Sequence, residues 1–376
     1  MDRENQRVMS LRLSRVMEDI GVIRYIIARR RRTWLVIEKQ REVLNMMIGT
    51  NHLCYHFGSQ SEGNTTSGMD SDIDVLLCNF WVHVILKWSD WKQGNHNLLV
   101  IKNAYSPPQH CLLQIVRHDL PLPRTKVEFP SDVVDNEGRV LHTNTQAECI
   151  QAIRDVKAVS VIVHHGPSKS WDENNDLVFG FHCASLPREC RFMFNRPRPG
   201  HWPRADTLAT ARQTGVFLVP QRYSESQSRP TRCRSTALHT TLNDPYYPQS
   251  KWQWRFSTSM IERWLMFDMN TQQHKTFVFL KTLRKQFFKP VVGDRLSTFH
   301  LKTTMLYTIE TYPPEIWRDD NLVQCVIYCL TTLLRCLKIK YCPHYTIYGV
   351  NLFTGKLFKH EQAVIRNMIL KMIVTI

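Results

Sequence analysis

The sequence predicts an α+β protein with a mixed helix-and-strand first part and an all-helical second part. Three observations lead there. Apolar residues recur at three- and four-residue spacings over about 10–47, short β-branched segments and glycine-rich turns follow, and after Trp252 the apolar period is helical to the end. A chain of 376 residues, 43% hydrophobic and 10% aromatic, is long enough for two packed lobes or domains.

In the first stretch Leu13, Val16, Met17, Ile20, Val22, Ile23, Ile26 and Ile27 mark one face, and no proline intervenes before Pro107. One long helix, or two in series, is expected. Gly58, Gly63 and Gly68 then lie amid Ser and Thr ahead of 73–77, a β-branched run that reads as a buried strand. Further strands are expected at 98–101, 112–116, 159–163 and 177–181. Between about Pro187 and Gln249 the composition shifts to Pro, Arg, Ser and Thr, as in a surface loop or linker, and divides the chain into 1–245 and 250–376. Helical periods follow at 260–269, 277–288, 301–309 and 322–337, and there is no internal repeat.

The first residues alternate charged and apolar, unlike a secretory signal. The longest apolar stretches, 322–337 and 365–376, are interrupted by Gln324 and Arg335 and by Arg366 and Lys371, and fall short of the roughly 20 residues a membrane span needs. Eleven irregularly spaced cysteines, an odd number, fit reduced thiols. A soluble protein of cytosol or nucleus without a membrane span is expected, and Asn64-Thr65-Thr66 is then a chance glycosylation match. The net charge of +16 implies attraction to a polyanion: nucleic acid, an acidic membrane surface or nucleotide phosphates. Part of it is concentrated in Arg29, Arg30, Arg31 and Arg32, and in Lys281, Arg284, Lys285 and Lys289.

The most informative stretch is Phe57-Gly58-Ser59-Gln60-Ser61-Glu62-Gly63, followed by Ser71-Asp72-Ile73-Asp74-Val75-Leu76-Leu77. Side chains alternate along a strand, so Asp72 and Asp74 share a face while Ile73 and Val75 turn to the core. Two carboxylates so placed repel each other unless a cation sits between them, and magnesium takes oxygen ligands from carboxylates and substrate phosphates. Gly58 lets the backbone approach closely, and exposed amides with the Ser59 hydroxyl suit phosphate oxygens. Together they form the arrangement of a nucleotidyltransferase core. A third carboxylate from a neighbouring strand is needed to hold a second metal and draw a proton. Asp176 is the choice because it opens the apolar run 177–181; Asp172 and Glu173 are rivals.

The chain resembles the Mab-twenty-one-like family, which includes the animal cyclic GMP-AMP synthase and cyclic-dinucleotide-synthase-like receptors. The resemblance rests further on Trp254-Arg255-Phe256-Ser257-Thr258-Ser259-Met260-Ile261-Glu262, on Ser297-Thr298-Phe299-His300-Leu301-Lys302-Thr303, and on Pro343-His344-Tyr345 with Asn351-Leu352-Phe353. With Trp171-Asp172-Glu173-Asn174 it looks like the molluscan expansion. It implies a two-lobed nucleotidyltransferase fold with a mixed sheet, a long N-terminal spine helix and a helix-two-turns-helix-like C-terminal region. It also implies synthesis of cyclic dinucleotides from ATP, GTP or other nucleoside triphosphates in innate immune signalling, with double-stranded RNA or DNA as activator. By the same resemblance Ser59 contacts triphosphate, and Asp72, Asp74 and Asp176 hold two magnesium (or manganese) ions. Phe299 stacks on a base, Arg255 meets the acceptor nucleotide, Ser259 and Glu262 help around it, and Lys281 reaches phosphate or base. Read unaided, Phe299 is as well a core ring, Arg255 a partner of a surface carboxylate, and Lys281 a lysine that snorkels.

The vertebrate DNA sensor carries a His- and Cys-rich zinc insert, and none lies between Lys289 and Ser297. No zinc is expected; Cys336, Cys342 and His344, or Cys325 and Cys329, read as buried groups. Double-stranded RNA becomes at least as good an activator as DNA. Arg29 to Arg32, with Lys285 and Lys289, are the candidate contacts to its phosphates. The rival to the enzyme is a non-catalytic member that binds nucleic acid, nucleotide or a protein partner.

Overall fold

The computed structural model describes residues 3–50, 52–66, 71–102, 106–129, 131–144, 163–165, 168–172, 175–220 and 252–375. Two helices in series open the chain, α1 (Arg3–Asp19) and α2 (Arg24–Met47), so the spine is not one continuous helix. The break falls at Gly21, whose φ of +90° suits glycine far better than any other residue.

Twelve described strands follow: β1 (His52–Phe57), β2 (Ile73–Asn79), β3 (Val82–Ile85), β4 (His96–Ile101), β5 (His110–Ile115), β6 (Asp132–Val134), β7 (Val140–His142), β8 (Val163–His165), β9 (Ser168–Asp172), β10 (Asn175–Cys183), β11 (Val216–Pro220) and β12 (Trp254–Ser257). Their order is β1-β2-β10-β11-β12-β5-β4-β3, with β6 and β7 beside β5 and β8 and β9 beside β10. The sheet is mixed: β2 and β10 run parallel, as do β3 and β4, and their other neighbours are antiparallel. It also curls, because Val84 of β3 and Phe181 of β10 enter the same core.

The helices are α3 (Gly58–Glu62), α4 (Arg188–Arg191), α5 (Ala205–Thr214), α6 (Ser259–Asp268), α7 (Thr271–Leu283), α8 (Lys289–Val292), α9 (Thr298–Thr311), α10 (Leu322–Ile339) and α11 (Lys359–Thr375). A π-helical turn, Arg284–Phe288, joins α7 to α8. One apolar core runs from Leu113 and Ile115 of β5 through Leu218 and Phe256 to Leu265, Phe277, Met305 and Leu330. Helix α1 is fastened to the C-terminal helices by Lys275, whose buried Nζ donates to Ser14 Oγ and Glu18 at 2.6 Å and to Asp319 at 2.7 Å. Every proton of that ammonium has a partner, which makes its burial tolerable.

Three expectations need correction. The segment expected to be a loop from Pro187 contains α4, α5 and the wholly buried strand β11; the rest of it, 221–249, lies outside the described residues. Its Arg-Pro composition reads as loop, yet Arg196 makes two 2.6 Å bonds to Glu310 and lies 4.2 Å from the Tyr345 ring centroid. The stretch after Trp252 opens on strand β12 before the helices begin. Asp319–Ile339 is, contrary to expectation, long and apolar enough to cross a membrane by length and composition, although 56% of its apolar window is buried in the fold. The strand expected at 159–163 lies outside the described residues except for Val163, which starts β8.

Candidate active site

Strand pairing brings the carboxylates together. In the parallel β2–β10 ladder Asp176 stands in register with Asp74, and in the antiparallel β1–β2 ladder Asp74 stands opposite Phe57. The next residue, Gly58, turns the chain into α3 with φ +78°, and a Cβ there would lie 2.0 Å from Asp74 Oδ2. Only glycine lets the Gly-Ser turn rest against the acidic strand. Asp74 is pushed up to about 7, first by burial and then by Asp176, Glu62 and Asp72, with Lys302 opposing. Such a carboxyl holds its proton near neutrality until positive charge arrives.

Two lysines face this cluster. Lys281 Nζ donates to Ser59 Oγ at 2.9 Å and to the Asn64 carbonyl at 3.2 Å. Burial pushes it down to about 8, with Glu62 opposing and Arg284 adding to the fall. Lys302 lies between Glu62 at 2.6 Å and Glu262 at 3.3 Å. Burial works against its charge, but the two glutamates outweigh it and hold the ammonium above its usual range.

A cavity of about 740 Å³ opens over these groups, in the range for small-molecule sites. Gly58, Ser59, Asp74, Asp176, Arg255, Ser259, Glu262 and Phe299 all line it. Asp72 is exposed just before β2 and does not line it, and Lys281 borders it through Ser59. Arg255 projects from β12; burial lowers its pKa against the pull of Glu262, and its Nε has no partner among the described residues. Ser259 Oγ lies 2.8 Å from Ser257 Oγ, and Glu262 accepts from Thr258 Oγ1 at 3.0 Å. Phe299 is half-buried, with its ring 5.3 Å from that of His344.

Residues 272–371 match the Mab-21 protein HhH/H2TH-like domain. The match covers about a quarter of the chain and is a likeness of its C-terminal helical part to that domain. The Mab-21 region begins within α7 and ends within α11, so it carries Lys281, Phe299, Lys302 and His344. The carboxylate strands lie outside the matched residues.

The carboxylate oxygens are the donor type that a hard divalent cation takes, and the repulsion from Asp176, Glu62 and Asp72 that adds to burial in raising Asp74 is what such a cation relieves. Among the described residues, however, no three His, Cys, Asp or Glu side chains converge closely enough to hold a metal ion. Two of the donors, Asp74 and Asp176, stand in register; Glu173, a rival for the third position, lies outside the described residues.

The basic residues divide in a way the sequence did not reveal. Arg29 and Arg32 are exposed on α2, and Lys285 and Lys289 are exposed beyond α7. Arg31 turns inward, donating to the carbonyls of Glu62 (3.0 Å), Phe267 (3.1 Å) and Met266 (2.7 Å), and Arg30 donates to the Thr65 carbonyl. Burial pushes Arg31 down to about 10. The expectation that all four arginines face a polyanion therefore fails for Arg30 and Arg31, which fasten α2 to the Gly-Ser turn. Glu62, Lys302 and His344 are site residues that sequence reasoning missed. Lys302 follows Phe299 by three residues on α9 and Glu62 follows Ser59 by three, spacings that put each pair on one helical face.

Proposed function

We propose that the chain is a nucleic-acid-activated nucleotidyltransferase that joins two nucleoside triphosphates into a cyclic dinucleotide. The observation that carries this reading is the register of Asp74 with Asp176, set against Gly58 and beside the Ser59–Lys281 pair. Ser59 and Lys281 take the triphosphate of the donor nucleotide. Asp72, Asp74 and Asp176 are the residues that would hold two magnesium or manganese ions. Ions held there would supply positive charge to stabilise the attacking and leaving oxygens. Asp176 receives the proton of the attacking ribose hydroxyl, the new bond forms at the α-phosphorus, and pyrophosphate departs. Arg255, Ser259 and Glu262 position the acceptor nucleotide, and Phe299 stacks on a base. Double-stranded RNA or DNA lies along Arg29, Arg32, Lys285 and Lys289, contacting them through phosphates. The resemblance to cyclic GMP-AMP synthase-like receptors supports the cyclic product.

A second reading is favoured by one observation, that no three-ligand set is assembled among the described residues. It is a non-catalytic member that binds nucleic acid, nucleotide or a protein partner. Incubating the protein with four labelled nucleoside triphosphates, magnesium or manganese, and double-stranded RNA or DNA separates the two. A phosphatase-resistant product lost in Asp72→Asn and Asp74→Asn establishes the enzyme. No product under any activator, from folded protein that still binds nucleic acid, establishes the second reading.

A further inference from the structure

One part of the cavity lining has no role in the chemistry above. His344 is 4% exposed, lines the cavity, and has its ring 5.3 Å from Phe299 at a tilt of 55°. Its Nδ1 lies 3.2 Å from the Thr346 backbone nitrogen, whose N–H points at it. A backbone N–H can only donate, so Nδ1 accepts and the proton of the neutral ring sits on Nε2. Thr346 Oγ1 also lies 3.1 Å from Nδ1, a contact in which either atom could supply the proton, so the backbone N–H decides the tautomer. Thr258 Oγ1 donates to Glu262 at 3.0 Å and lies 2.6 Å from Thr346 Oγ1. The ring is thus held from behind in one orientation, and its Nε2 makes no hydrogen bond with any described residue.

The charge state separates two uses of such a group. Burial, with Arg255 and Lys302 close by, pushes His344 down to about 3, so it stays neutral and is a poor seat for a phosphate. A neutral N–H donor on a buried ring that lines the cavity, set beside a half-buried aromatic ring, suits a flat heteroaromatic ligand with an acceptor on its edge. We propose that His344 is a specificity-determining residue that donates from Nε2–H to the edge of a nucleobase stacked on Phe299. The inference rests on the reading of the cavity as a nucleotide site. It adds that base choice is made by a single oriented donor from the segment between α10 and α11.

The test measures binding without turnover. The full chain is titrated with α,β-non-hydrolysable analogues of ATP, GTP, CTP and UTP and with base-free ribose 5-triphosphate, all with magnesium. His344→Met fills similar space without a donor, and His344→Gln keeps an N–H. The wild type is expected to rank the four bases over about fivefold to tenfold, the size of one hydrogen bond. His344→Met flattens that ranking to within about twofold and leaves ribose 5-triphosphate unchanged, while His344→Gln retains most of it. Should His344→Met fail to fold, a wild-type ranking that survives unaltered in His344→Leu, which also lacks a donor, overturns the proposal, and its loss there upholds it. Equal binding of all four bases by the wild type, or an unaltered ranking in His344→Met, overturns this inference and leaves the nucleotide site standing. No binding of any triphosphate by the wild type overturns both.

Discussion

Replacing Gly58 by alanine is the sharpest probe of the contact between the Gly-Ser turn and the acidic strand. Two penalties combine there. A left-handed backbone costs a non-glycine residue about 1–2 kcal/mol. The new Cβ would also lie 2.0 Å from Asp74 Oδ2, where real contacts essentially never fall below 3.0 Å, so the carboxylate must retreat by about 1 Å. Gly94 isolates the first penalty, because it has the same φ of +78° and nothing within 4 Å of its would-be Cβ. Urea denaturation should give about 1–2 kcal/mol of destabilisation for Gly94→Ala and measurably more for Gly58→Ala. The larger difference should appear in nucleotidyl transfer: Gly94→Ala stays near wild type, whereas displacing a reacting group by about 1 Å lowers the rate on the order of a hundredfold. Equal stability loss and equal transfer rates in the two variants would refute the idea that Gly58 is fixed by Asp74.

Further outcomes follow from the charges. Asp74 binds its proton more tightly in the fold than unfolded, so between about pH 4 and its folded value of about 7 the native state holds more protons and stability falls as pH rises. Metal-free Asp74→Asn should therefore be more stable than wild type at pH 8, by about 1–3 kcal/mol, and show a flatter profile of melting temperature against pH. Lys302→Met leaves Glu62 and Glu262 without their shared buried counterion and should cost about 3–5 kcal/mol by urea denaturation; a loss under about 1 kcal/mol contradicts the assigned pairing. Charge reversal at the exposed Arg29, Arg32, Lys285 and Lys289 should weaken double-stranded RNA or DNA binding and reduce its salt dependence, measured by anisotropy, while leaving the melting temperature nearly unchanged. Arg31→Ala should do the reverse, destabilising the protein through three lost carbonyl contacts.

The turn at Gly58 and Ser59 and the place of Asp74 on β2 were legible because strand alternation and glycine's backbone freedom are local properties, whereas Asp72, expected to share that face, is exposed ahead of the strand and does not line the cavity. Asp176 was approachable for the same reason, since it heads an apolar run; that it falls opposite Asp74 depends on a parallel register no local pattern encodes. Strand β11 escaped notice because all five of its residues are buried and no alternation is left to read. Strand β12 is four residues long and adjoins a helical period. The charges were the least legible. Arg31 and Arg32 are neighbours of one type, yet one is tied to carbonyls more than 230 residues away and the other is exposed. Lys302 and Glu62 are likewise 240 positions apart. Contacts of that separation are set by tertiary packing, which residue type and spacing do not record.

The position of β12 has a consequence for how the protein is made. It is the strand that joins β11 to β5, and hence the β1-β2-β10-β11 ladder to the β5-β4-β3 ladder. A chain leaving the ribosome has produced both of those ladders long before Trp254 emerges, and until then each presents an unpaired edge where β12 belongs. The nascent protein must therefore wait, with two incomplete sheets, for a four-residue strand and the apolar helices behind it. Late closure of this kind slows folding and lengthens exposure to chaperones and to like chains. A fragment ended before residue 254 would be synthesised into that waiting state and have no way out of it.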